Sequence, residues 1–508
     1  MHDCKRARLD TENLRTWTSE GVNVHIHTKP QQHCAALGED CGLQSPKPPM
    51  AVPSVEGFVR WNFERKTDLL RDISANAARG RPLRLFSMYT GWGTAEMVAS
   101  AVSRVFKSLK GTGETLQVEF AWMCESNLDK CRYLAEAFKD VHIFTDASEV
   151  ASGCAWEYRS GRRLLVPMDL DGGFVGYPCV DLSSLNTGPG QFKDSSTATG
   201  KGYANMLQVV DKCGRLAFLG VENSGNMWHK RREDHFERPI DIQDMAFRER
   251  GFLASSHRVS AHEFGPPQSR NRSWSLYLRK TSSRTGPGLE AEVALSNTFL
   301  SFRCEVVPLA NVLEAKGPKG PSQRRPGSEK QKPGPRVEGG AKWSRQFADL
   351  AKRLGEEQLE FKVREVLSMD LPLTLREIHV VALAAYELQA RNVDVWKEPV
   401  VIQVDQGFGR SWHRSDHRIA PCVIPKGKYI VTGPTWRLMD KQEKCFLQGV
   451  GPEEISAYRM EELLTETQLN DMVGNAFTAQ ICLAALLSFL VCWNPGAAPD
   501  AENTQQTA

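Results

Sequence analysis

The sequence predicts an α/β fold with a mostly parallel sheet, and three observations carry that expectation. Short apolar runs alternate with helical patterns from Leu83 to about Leu278. Loop residues separate the runs, and small or acidic residues recur where a run ends. Strand candidates are "LRLF", "VEFAW", "VHIF", "GGFVGY", "LAFLGV" and "SWSLYL". Between them, "AEMVASAVSRVFKSL", "NLDKCRYLAEAF" and "YANMLQVVDKC" place apolar residues at helical spacing.

A chain of 508 residues has room for two to four domains and a large core. Its 41% hydrophobic and 25% charged residues are ordinary for a soluble globular protein. With 64 Lys and Arg against 61 Asp and Glu the net charge is +3, so a nucleic-acid surface must come from local clustering. An odd 13 cysteines at irregular spacing argue for reduced thiols in a cytosolic or nuclear compartment. The opening "MHDCKRARLD" has no signal-peptide core. The apolar run from Ile481 to Trp493 is too short for a membrane span and reads as a buried core helix.

Residues 1–80 contain "SPKPPMAVP" and no sustained periodicity, and read as a loosely ordered extension. Within them His25, His27, His33, Cys34 and Cys41 match no zinc spacing, so no metal site is expected. The α/β alternation occupies 81–280. Residues 281–435 form a separate region containing a basic, Pro- and Gly-rich linker at 316–341. In that region "TLREIHVVALAAYELQARN" predicts an amphipathic helix capped by Thr374 and Glu377. "GFGRSWHRSDHR" then gathers Arg410, Arg414 and Arg418 around Trp412, a candidate phosphate-binding and base-stacking loop or simply a solvated basic one. Residues 436–494 return to the first domain, and 495–508 read as a disordered tail.

The chemistry-bearing residues follow the strands in order. "FSMYTGWGTAE" puts a Gly-containing loop between the first strand and a helix, where backbone N–H groups can face a ligand. Glu125 ends the second strand and suits a ribose diol, and Asp146 ends the third; carboxylates at such places are also common as helix caps. Cys179 follows Pro178 where the fourth strand runs out. A stiff turn presents a thiol better than it packs one. "GVENSG" follows the fifth strand, and "FGPPQSRNRSW" precedes the last.

This series, from about Leu83 to Leu490, closely resembles the DNA (cytosine-5) methyltransferases. "GYPCVDLSSLN" resembles that family's Pro-Cys nucleophile loop, and "VEN" at 221–223 its Glu-Asn-Val motif. Gln268, Arg270 and Arg272 fit its Gln-x-Arg-x-Arg signature. Arg437, Glu443 and "LQG" at 447–449 are similar to its late Arg…Glu…Leu-Gln-Gly segment, and "MVGNAFTAQ" to its closing Gly-Asn motif. The chain departs from the family in three places. Phe86 and Gly91 are separated by four residues where the family has Phe-x-Gly-x-Gly, Ser224 stands for Val, and Ala476 for Ser.

The resemblance implies a Rossmann-like S-adenosylmethionine-dependent methyltransferase domain with a smaller target-recognition domain. It implies methyl transfer to carbon 5 of cytosine in duplex DNA, the base being flipped out to be reached. Cys179 then attacks carbon 6, and Glu222 hydrogen-bonds the base at nitrogen 3 and the exocyclic amine. Arg272 meets the base oxygen, and Arg270 holds phosphates and the nucleophile loop. For the cofactor, Phe86 stacks on adenine, Gly91 and Gly93 leave room for the methionine part, Glu125 binds the ribose, Asp146 reads the adenine amine, and Asn475 completes the pocket. No membrane partner is implied, and a nuclear location follows if the source is eukaryotic. Two rivals remain. The same chemistry on transfer RNA belongs to a branch marked by Cys-Phe-Thr, where this chain has Cys445-Phe446-Leu447. A catalytically silent nucleic-acid-binding protein would keep only the fold.

Overall fold

The computed structural model describes residues 46–48, 50, 52–77, 81–110, 116–182, 191–231, 234, 237–314, 341–369, 371–405 and 417–496. Nine strands form the main sheet: β1 Leu83–Met88, β2 Val118–Cys124, β3 His142–Phe144, β4 Cys154–Glu157, β5 Arg162–Leu165, β6 Gly172–Val175, β7 Phe218–Ser224, β8 Phe252–Ser260 and β9 Asn271–Arg279. Their order is β5-β4-β3-β2-β1-β6-β7-β9-β8. The five strands from β3 to β7 pair in parallel, and β4, β5, β8 and β9 pair antiparallel at the two edges. This is the expected Rossmann-like α/β arrangement. Strand order reverses between β1 and β6, and in such sheets ligands bind beyond the carboxyl ends of the strands at that reversal.

The centre of the sheet is keyed by aromatic rings lying over glycines. Phe86 of β1 pairs with Gly173 of β6, Phe218 of β7 with Gly172, and Phe174 with Gly220. A Cβ on Gly173 would stand 2.3 Å from the Phe86 ring, and one on Gly172 2.2 Å from the Phe218 ring. The register is therefore locked, because a slip would drive a ring into a side chain.

One face of the sheet is covered by helices Val55–Arg65, Thr94–Lys110, Leu289–Leu300 and Ala479–Cys492, which share one continuous core. The other is covered by helices Ala147–Ser152, Ala198–Lys212 and Pro239–Glu249. Helix Ala479–Cys492 is buried almost throughout, as expected for the apolar run there. No single described helix is long and apolar enough to cross a membrane. A third cluster joins helices Ala341–Leu354, Glu356–Leu367 and Leu375–Gln389 to a small antiparallel sheet of β10 Val401–Gln403, β11 Tyr429–Val431 and β12 Arg437–Leu438. Thr374 and Glu377 form the expected capping box.

Three expectations are corrected. Residues 55–77 are not loosely ordered. They form helices Val55–Arg65 and Thr67–Ala77, with Val55, Phe58, Val59 and Phe63 at helical spacing in the first core. The separate region does not begin at 281, because Leu295 and Phe299 pack into that same core. Finally, β4, β5 and β8 went unread: β4 and β5 are a four-residue hairpin, and "FLASSHRVS" of β8 spends its alternation on serines paired to β9. The linker at 316–341 lies outside the described residues apart from Ala341, and the tail from 497 onward does too. Outside as well are His25, His27, His33, Cys34, Cys41, Arg410, Trp412 and Arg414.

Candidate active site

Cys179 lies four residues beyond β6 and is exposed. The turn carrying it is tied down on both sides. Gly176 N–H donates to the Met88 carbonyl at 3.1 Å. Asn223 Nδ2 donates to the Tyr177 carbonyl at 3.1 Å. Beyond the cysteine, Leu182 N–H donates to the Cys179 carbonyl at 3.1 Å and Asn226 Nδ2 to that of Leu182 at 2.7 Å. Buried Asp181 and Thr199 exchange backbone–side-chain bonds of 3.1 and 2.9 Å, pinning the turn to helix Ala198–Lys212. The segment "VEN" thus lies inside strand β7 rather than after it, and its Asn holds the cysteine turn.

Glu222 and Arg272 sit on neighbouring strands and form an ion pair, Nε to Oε1 at 3.0 Å. Beyond this ion pair, Glu222 Oε1 has no hydrogen-bond partner among the described residues. Although the residue as a whole is exposed, the protein atoms crowding its thiol desolvate it and push it above its ordinary value; Arg272 and Arg270 pull it down and Glu222 pushes it up. The electropositive setting expected around the thiol is present, but burial and Glu222 outweigh it.

Arg270 is corrected. It is 2% exposed, and its guanidinium donates to the carbonyls of Val423 at 3.0 Å, Gly474 at 3.1 Å and Ala476 at 2.7 Å. A fork spent on three carbonyls inside the protein holds no phosphate. Gln268 acts likewise, donating to the Leu447 carbonyl and accepting from Val423 N–H, both at 2.7 Å. Arg437 grips buried Glu443 bidentately at 2.5 and 2.8 Å. Of the Gln-x-Arg-x-Arg signature, two members brace the returning chain, and it is Arg272 that makes the ion pair with Glu222.

The glycine loop lies at the β1–β6 reversal. Gly91, at φ +66°, donates its N–H to Glu125 Oε2 at 3.0 Å, and Glu125 Oε1 accepts from Asn127 N–H at 3.0 Å. A Cβ on Gly91 would meet only the Asn475 carbonyl, at 3.9 Å, so the space beside it is open. Asn475, from the far end of the chain, is therefore brought to the loop as expected. Gly93 differs. A Cβ there would stand 2.5 Å from the Phe138 ring, so its smallness serves packing and not a ligand. Asp146 caps helix Ala147–Ser152, accepting two N–H groups on Oδ1 at 2.7 and 3.1 Å.

Phe86 is also corrected. It is fully buried within β1 and packs on Trp122 at 4.7 Å between centroids, so its ring is not available to a ligand. Tyr89 was missed, although Tyr89-x-Gly91-x-Gly93 has the spacing that Phe86 lacks. It adopts φ +58°, a strained region for a bulky residue. Its hydroxyl comes within 3.3 Å of a Cβ placed on Gly202. Under the same loop, Ser87 Oγ bonds Glu96 Oε1 and lies 2.6 Å from Thr90 Oγ1, while Glu96 Oε2 has no described partner. Burial pushes the Glu96 carboxyl up to about 7.

Two concavities of about 340 and 510 Å³, lined in turn by residues such as Val307 and Phe361, include none of these groups. No cluster of three or more His, Cys, Asp or Glu able to hold a metal occurs among the described residues.

No family model matches the chain, and no curated protein matches it. Among solved structures it is similar to the Dnmt2 methyltransferase of S. pombe, with 13% identity over 81% of this chain and 98% of that one and a TM-score of 0.40. It is also similar to a putative DNA modification methyltransferase of an E. coli prophage, at 16% identity, 80% and 98% coverage and TM-score 0.42. The Entamoeba histolytica methyltransferase EhMeth gives 10% identity, 81% and 98% coverage and TM-score 0.37. Likenesses with TM-scores this low bear on neither activity nor substrate.

Proposed function

We propose that this chain transfers a methyl group from S-adenosylmethionine to carbon 5 of cytosine in DNA, with Cys179 as nucleophile. The observation that carries the reading is the meeting of Cys179, the Glu222–Arg272 pair and the open glycine loop at one edge of the sheet, where β1, β6 and β7 end and antiparallel β9 begins. Carbon 5 of cytosine is a poor nucleophile. Forming an S–C6 bond turns the ring into an enamine whose carbon 5 can attack an electrophilic methyl, the pair of the broken S–CH3 bond returning to the donor sulfur as a neutral thioether. Loss of the carbon-5 proton and cleavage of S–C6 then release the thiolate and the product.

The residues at the loop fit the cofactor. Gly91 leaves the space beside Asn475 open, the carboxylates of Glu125 and Asp146 have lone pairs to spare, and Tyr89 stands at the spacing from Gly91 and Gly93 that Phe86 lacks. When bound, S-adenosylmethionine supplies a sulfonium-activated methyl group. Glu222 binds the base edge at nitrogen 3 and the amine, and Arg272 the base oxygen. A Glu222 that shares a proton with nitrogen 3 no longer opposes the thiolate, while Arg272 and Arg270 still favour it. Nucleophile ionisation is thereby tied to arrival of the base. Since the nucleophile must reach carbon 6, the base leaves the stack.

Covalent trapping tests this. The protein and S-adenosylmethionine are mixed with 5-fluorocytosine in duplex DNA or in transfer RNA, and run on a denaturing gel. Fluorine blocks the final elimination. A DNA adduct absent in Cys179→Ala is expected; an adduct with RNA alone would move the proposal to that substrate, and none with either would end it.

A further inference from the structure

A buried polar chain runs from helix Pro239–Glu249 to the nucleophile turn, and it has a direction. Tyr177, two residues before Cys179, is 2% exposed and donates its hydroxyl to Gln243 Oε1 at 2.6 Å. Gln243, 1% exposed, donates from Nε2 to the Tyr277 hydroxyl at 2.8 Å and to Ser275 Oγ at 3.2 Å. Tyr277 donates to Asp244 Oδ1 at 2.7 Å, and Ser256 Oγ donates to the same oxygen at 2.7 Å. An ionised carboxylate only accepts. Tyr277 must then give its proton to Asp244, which leaves the tyrosine oxygen to accept from an amide N–H. That fixes which way round Gln243 lies, and so presents an oxygen, not an NH2, to Tyr177.

We propose that Asp244, Tyr277 and Gln243 act as positioning residues for the nucleophile, the carboxylate holding the amide orientation that anchors Tyr177 and, through it, the turn bearing Cys179. This rests on Cys179 being the nucleophile of the reaction proposed above. Tyr177 is otherwise held at its carbonyl by Asn223 of β7, so its side chain is clamped from a helix and its backbone from a strand. A neutral Asp244 can donate as well as accept, and the chain then loses its single direction.

Asp244 is faced by charged and titratable groups on each neighbouring element: Arg248, Asp241 and Arg238 at its own helix, Tyr277 on β9, and Tyr203 on helix Ala198–Lys212. Glu292 is bound to Arg248 at 3.2 Å. Burial raises the Asp244 carboxyl to about 6, so the directed state holds above that pH and fails below it.

The test measures two rates from pH 5 to 9: adduct formation on 5-fluorocytosine DNA with S-adenosylmethionine, and iodoacetamide alkylation of Cys179 read by peptide mass spectrometry. Wild type, Asp244→Asn and Tyr277→Phe are compared, with thermal melts alongside. Wild type is expected to bend downward below a pH of about 6 in both rates. Both variants should lose that bend and trap about tenfold more slowly at pH 8, as a misaimed reacting group requires; each also strands a buried polar group and lowers the melting temperature, so rates are compared well below either melt. Variants that keep the wild-type rate and the wild-type bend overturn the proposal. If wild type traps nothing on any substrate, the methylation reading fails, and the alkylation profile alone decides the positioning role.

Discussion

Replacing Arg270 with Met keeps most of the buried stem and removes the guanidinium fork. The carbonyls of Val423, Gly474 and Ala476 then lose donors at 3.0, 3.1 and 2.7 Å from a side chain that is itself only 2% exposed. Each stranded acceptor costs about 1–3 kcal/mol. Deleting a guanidinium that burial disfavours returns part of that sum, leaving a net loss of about 3 kcal/mol. Two of the three carbonyls flank Asn475, which lies against the glycine loop, so the damage should also reach cofactor binding. The assays are the urea midpoint and calorimetric titration with S-adenosylmethionine. Both should worsen, the affinity by about tenfold for each 1.4 kcal/mol transmitted to the loop. Arg270→Lys, a compact ammonium without the planar fork, should recover less than half. A different result refutes the reasoning: an unchanged midpoint with a salt slope of DNA binding reduced by about 1 would mean that Arg270 contacts a phosphate after all.

Two further outcomes are expected. Because the folded-state Glu96 carboxyl is raised from 4.5 to about 7, its stability contribution is full below pH 4.5 and is lost as pH rises through 7. Glu96→Gln, which keeps an acceptor for Ser87, should flatten that decline in melting temperature, worth up to about 3 kcal/mol at pH 8. In Glu222→Gln the pH midpoint of Cys179 alkylation should fall, since the carboxylate pushes the thiol up; in Arg272→Met it should rise. Opposite or absent shifts would separate these side chains from the thiol.

The groups meant to touch substrate were largely legible in the sequence, while the braces were not. Cys179, Glu222 and Arg272 announce themselves through residue type and order along the strands. Arg270 has the same residue type and spacing as Arg272, yet its partners are backbone carbonyls more than 150 residues away, and a carbonyl leaves no trace in a sequence. Two aromatics precede the glycine loop, and only the end of β1 at Met88 decides that Phe86 is core and Tyr89 is not. Helix Val55–Arg65 did carry a readable signal, apolar residues at 55, 58, 59 and 63, hidden behind the Pro-rich run before it. Gln243 and Asp244 offered none, since a buried glutamine in a helix reads as a surface one until its neighbours are seen.

Helix Ala479–Cys492 has a consequence for synthesis. It fills the space between helices Thr94–Lys110 and Leu289–Leu300, and Asn475 just ahead of it completes the glycine loop. A ribosome that has made residue 300 has already delivered the thiol, the Glu222–Arg272 pair and every strand of the main sheet. It must add almost two hundred residues before the covering helix emerges. At 5–20 residues per second that wait lasts roughly 10–40 s. Throughout it the nascent chain carries an uncovered apolar groove and a half-built site. Holding chaperones are therefore expected to engage it between those two points, and the glycine loop acquires Asn475 only when this end of the chain docks.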